Sequence, residues 1–165
     1  NQRNCFDANS TNPPKYNPPD RLIYLNYNIS QYQSNVGEIK LAKIRVMYWK
    51  EIPVQVQTEE NGETVSVPLD DRFQQAVDSI SMMEGSFGTD EYLDGWQWGD
   101  YCEKGTPASD LSRIVVDLYN KCMPLDFVKR IRDAHSNGSR NSKPKGIDEW
   151  LSESNQYSHF IEALG

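Results

Sequence analysis

The chain has 165 residues, 37% of them hydrophobic, and a formal net charge of −7 at pH 7. Its mean hydropathy is −0.74, and no run approaches the roughly 20 apolar residues that span a bilayer. The acidic balance argues against a nucleic-acid binder, which needs clustered cations to neutralise phosphate.

Residues 1–42 read as an extended docking arm. Two Pro-Pro pairs in "NPPKYNPPD" favour polyproline II and forbid helix. In "LIYLNYNISQYQ", Ile23, Leu25, Tyr27 and Ile29 alternate against Tyr24, Asn26 and Asn28. Such a segment gains order by lying on another surface, so Ile23, Tyr24, Leu25, Tyr27 and Tyr32 are the candidate partner-binding residues. Binding is expected to other protein subunits, with no nucleic acid and no transmembrane segment involved.

Residues 43–135 read as an α+β core. Ile44, Val46 and Tyr48 alternate with Arg45, Met47 and Trp49, the period of a strand. Asn61-Gly62 predicts a type I′ turn, because both central positions need positive φ. Folding about it opposes Thr58 to Val65, Val56 to Val67 and Val54 to Leu69, with Glu59–Thr64, Gln57–Ser66 and Gln55–Pro68 on the other face. Pro68 has no ladder donor, which puts its strand at a sheet edge or the residue near the strand's own end. About three antiparallel strands are expected, with "GWQWGDY" as an aromatic loop.

Asp70 and Asp71 open a helix whose predicted buried stripe is Leu69, Phe73, Ala76/Val77, Ile80 and Met83, with Ser81 wet; Gly85 ends it. Thr89 caps a short acidic helix carrying Tyr92, Leu93 and Trp96. Thr106-Pro107 starts a helix with Leu111, Ile114, Val115, Leu118, Tyr119 and Cys122 on one side. Pro124 breaks it, and a further helix buries Phe127, Val128 and Ile131 before Asn137-Gly138. Residues 136–165 follow as a solvated basic loop, "SRNSKPKG", and a C-terminal helix from Ile147 to Leu164. Four to five helices in all are expected against the small sheet.

Catalytic and cofactor motifs are missing: no phosphate-binding glycine loop, no G-x-S-x-G and no H-E-x-x-H is present. "DEYLDG" lacks oxygen ligands at the third and twelfth positions of a calcium loop, Tyr92 and Tyr101. Cys5, Cys102 and Cys122 are widely spaced and odd in number, which indicates neither a zinc ribbon nor a disulfide framework and points to a reducing compartment or a chain indifferent to redox. No nucleophile, base and orienting group can be assembled, so the chain is read as a non-enzyme without cofactor or metal.

The motif "YWKEIPVQV", followed by "PLDDRFQQAVDSISMMEG" and "TDEYLDGW", resembles a small bacterial family described as virulence factor. The residues carrying the resemblance are Tyr48, Trp49, Ile52, Pro53, Arg72, Phe73, Asp78, Met82, Tyr92, Leu93 and Trp96. They are read as structural, with Trp49, Phe73, Met82 and Trp96 packed together and Arg72 reaching Glu51 or Asp78. Domains of this kind look similar to accessory subunits of mitochondrial respiratory complex I in some protists. The resemblance therefore implies a non-catalytic accessory subunit of NADH:ubiquinone oxidoreductase, peripheral on the matrix side of the inner membrane and held through its arm and C-terminal extension. The alternative is a stand-alone cytoplasmic domain that binds a small molecule or assists an enzyme, its pocket lined by Tyr48, Trp49, Trp96 and Trp98.

Overall fold

The computed structural model describes residues 41–165; the arm residues Ile23, Tyr24, Leu25, Tyr27 and Tyr32 lie outside them. The described chain is an α+β unit in which helices pack on a twisted antiparallel sheet. Strands β1 (Ala42–Trp49), β2 (Ile52–Glu60) and β3 (Glu63–Pro68) form the predicted meander. The β2–β3 register pairs Thr58 with Val65, Val56 with Val67, Gln57 with Ser66 and Gln55 with Pro68. Beyond it, the Leu69 amide donates to the Val54 carbonyl at 2.9 Å. Asn61 and Gly62 take φ of 55° and 82°, as their turn requires. β3 is the edge strand, where Pro68 leaves no ladder bond unmade.

That turn yields a direct test. Asn61→Ala/Gly62→Ala should lower the melting temperature by several degrees, because alanine resists positive φ; a wild-type melt would contradict the turn's contribution.

The sheet has five strands rather than about three. The aromatic stretch expected as a loop supplies β4 (Trp96–Trp98) and β5 (Cys102–Lys104), both antiparallel to β1. Runs this short carry too little periodicity to be read in sequence; they pair because β1 offers them a free edge. A register shift between Met47 and Tyr48 leaves Val54 unpaired with β1. A tight turn then follows, with Lys50 at φ 52°.

Helix α1 (Asp71–Glu84) buries Phe73, Ala76, Val77, Ile80 and Ser81. Met83 is exposed instead, and Ser81 is buried where its carbonyl accepts from the Ser86 amide of the following loop at 2.9 Å. After α2 (Asp90–Asp94), α3 (Ala108–Cys122) crosses the sheet and buries Leu111, Val115, Leu118, Tyr119 and Cys122. α4 (Phe127–Asn137) ends at Gly138 in the left-handed region, φ 76°. The expected single C-terminal helix is two pieces, a 3-10 turn at Asp148–Glu153 and α5 (Tyr157–Leu164). These are not an appendage: Ile147, Leu151, Phe160 and Leu164 are buried in the one core cluster. Among the described residues no helix is long and apolar enough to cross a membrane.

Candidate functional site

The motif residues divide into a buried set and an exposed set. Tyr48, Trp49, Ile52 and Phe73 are completely buried, and Pro53 is buried beside them. The Trp49 indole donates to the Tyr92 carbonyl at 2.9 Å, and its ring lies 5.8 Å from that of Tyr92. Tyr92 in turn meets Trp96 edge-on at 6.1 Å. Gly95 is required here, since a Cβ on it would fall 2.6 Å from Trp49 Nε1. Met82, expected in this cluster, is 62% exposed, and Leu93 is 65% exposed.

Arg72 reaches neither Glu51 nor Asp78. Its guanidinium donates to the carbonyls of Asn120 at 2.9 Å and Met123 at 3.1 Å, capping the end of α3, where unsatisfied carbonyls and the helix dipole favour a cation. Asp78 instead accepts from Gln74, one turn earlier, at 3.2 Å.

The partner of Glu51 is Arg140, from the loop expected to be solvated. Glu51 is fully buried and the Arg140 side chain only 8% exposed, with Arg140 Nε donating to Glu51 Oε1 at 2.6 Å and Nη2 to Oε2 at 3.1 Å. Arg140 also donates to Glu84, which Lys50 approaches from the other side. Burial would raise the Glu84 carboxyl, but the two cations outweigh it and hold it below its ordinary value. A lone Arg in a Ser/Asn/Pro-rich segment gave no sequence signal for this, because its carboxylate lies across the fold.

A second polar cluster sits beneath it. The hydroxyls of Tyr48 and Tyr119 are 2.8 Å apart, and each donates to Asp148 Oδ2 at 2.8 Å. Asp148 as a residue is only partly buried, but its Oδ1 is shut off from solvent and has no hydrogen-bond partner. Burial pushes its carboxyl up to about 6, against the opposing pull of Tyr119, Tyr48 and Lys145. Both phenols are raised well above their ordinary value, chiefly by burial and then by the Asp148 charge, so they stay protonated donors.

Three hydroxyl-class contacts share two phenolic protons when Asp148 is ionised, and gain a third when it is neutral. A carboxyl whose folded pKa lies above its unfolded value stabilises the fold fully below pH 4 and loses that contribution as pH rises through 6. Asp148→Asn, which cannot ionise, should therefore gain stability relative to wild type between pH 4 and 7; parallel urea titrations showing a pH-independent difference would contradict this.

Arg140, Lys145, Asp148, Trp150, Ile131 and Leu151 help line a cleft of about 560 Å³ between α4 and the C-terminal loop. The residues of the alternative aromatic pocket are placed as follows. Tyr48 and Trp49 are sealed, the crevice beside Tyr48 holds only about 10 Å³, and Trp98 lies under the Arg45 guanidinium at 4.0 Å. Among the described residues no three His, Cys, Asp or Glu side chains converge to hold a metal ion.

The cysteines also depart from expectation. Cys122 is a buried free thiol on the apolar face of α3, but Cys102 on β5 is disulfide-bonded. Counting cysteines and their spacing could not reveal that, since pairing depends on separation in space. Residues 47–121 match the model of the family described as virulence factor. No curated protein and no solved structure matches the chain.

Proposed function

We propose, for a chain whose residues 47–121 match the model of the virulence factor family, that it is a non-catalytic accessory subunit of a large assembly. The most specific candidate is mitochondrial NADH:ubiquinone oxidoreductase. One observation carries this: the motif's Tyr48, Trp49 and Phe73 are completely buried in packing, while its Met82 and Leu93 are turned to the surface. A motif built around a reaction would bring polar groups to an open cavity. This one builds a rigid support and presents apolar side chains from it.

In the sequence, residues 1–42 precede the matched segment and residues 136–165 follow it, the latter contributing Ile147, Leu151, Phe160 and Leu164 to the core. Attachment at the inner membrane is peripheral. The resemblance implies the matrix side of that membrane; protection of the tagged chain from added protease in organelles stripped of their outer membrane would support that placement. The test of the reading as a whole is native electrophoresis of the tagged full chain. Co-migration with a megadalton NADH-oxidising band is expected, and a chain found only as a free monomer would end it.

A second reading, a small-molecule-binding domain, is favoured by the cleft beside Arg140, Lys145 and Trp150, whose size suits a ligand. Charge changes at Lys145 that abolish binding of a small molecule, without altering assembly, would support it.

A further inference from the structure

We infer that the corner made by the end of α1, the loop after it and α2 docks an apolar, basic-rimmed surface of a partner protein; this rests on the accessory-subunit reading. Met82, Phe87 and Leu93 are 62%, 53% and 65% exposed, and Met83 joins them at 38%. Single exposed apolar side chains are ordinary, but four large ones within one short corner are not.

The corner is preorganised. Gly85 turns the chain at φ 75°. Ser86 is buried, its amide donating to the Ser81 carbonyl at 2.9 Å, and Thr89 Oγ1 donates to the Ser86 carbonyl at 2.7 Å. Phe87 stands edge-on to Tyr92 at 5.8 Å, and Tyr92 rests on Trp49. An aromatic side chain held as Phe87 is loses little freedom on binding, which is the character of an interface anchor.

Charge selects the partner. From Asp78 to Tyr101 the sequence holds six acidic residues, Asp78, Glu84, Asp90, Glu91, Asp94 and Asp100, and no lysine or arginine. Glu84 is consumed by Lys50 and Arg140, whereas Asp90, Glu91 and Asp94 on α2 are exposed. A second copy would bring two such rims together, and an anionic lipid surface would be repelled. A protein surface with an apolar centre and Lys/Arg at its edge meets both requirements.

The test uses the tagged full chain and two variants, Phe87→Ser/Leu93→Ser and Glu91→Lys/Asp94→Lys, with Lys129→Ala on α4 as a control. Circular dichroism melting checks folding, and native gels measure incorporation. Both variants should melt near wild type yet incorporate at least tenfold less, while the control incorporates normally. If the serine variant melts early, the charge variant alone decides, since its side chains touch no core. Normal incorporation of the folded variants overturns the docking surface and leaves the accessory reading intact. Failure of the wild-type chain to enter any large band overturns that reading and this inference with it. A wild-type dimer in sedimentation that the variants abolish would replace the basic partner with a second copy.

Discussion

Arg140→Leu is expected to destabilise the fold by about 3–5 kcal/mol, the range for removing one partner of a buried ion pair. The loss is large because Glu51 has no exposure to water, so its charge would remain without a bidentate partner. Glu84 would keep Lys50 and suffer less. Because the cost is that of an orphaned charge, Glu51→Leu/Arg140→Leu should recover much of the stability, which a pair valued for its attraction alone would not do. Urea denaturation of wild type, both single variants and the double variant gives the coupling energy. Additive losses in that cycle would show that the two side chains act independently.

Trp49→Ala should cost about 3–5 kcal/mol, as buried aromatic truncations do. The indole is fully buried between β1 and α2, and its loss also frees the Tyr92 carbonyl. Gly95→Ala probes the same contact from the opposite side: its added methyl meets the indole at 2.6 Å, an overpacking worth about 1–3 kcal/mol. In the Trp49→Ala background that steric cost should vanish. Thermal melts of the two single variants and their combination check this, and equal penalties for Gly95→Ala in both backgrounds would contradict the contact.

Much of the fold was legible in local pattern. The β2–β3 register follows from Asn61-Gly62, since a turn that demands positive φ at both positions leaves one way to bring Thr58, Val56 and Val54 opposite Val65, Val67 and Leu69. Gly85 and Gly138 end helices where a left-handed residue is needed, and the α3 stripe repeats at helical spacing. These signals sit within a few residues of what they specify. By contrast β4 and β5 are three residues each and exist because β1 had an edge to offer.

The site was less legible for the same physical reason. Arg140 and Glu51 are 89 residues apart, and Tyr48 and Asp148 are 100 apart, so no spacing rule links them. Arg72 looked ready to pair with an acid nearby, but the open carbonyls of α3 came within reach first. Met82 and Leu93 fit a buried pattern by residue type, yet α1 and α2 carry them on faces turned outward. Thus the sequence by itself determined the strands, turns and helix ends whose causes are local. The pairing of distant charges, the oxidation of Cys102 and the exposed acidic-apolar corner were decided only by the tertiary structure, because burial and proximity are properties of the folded chain.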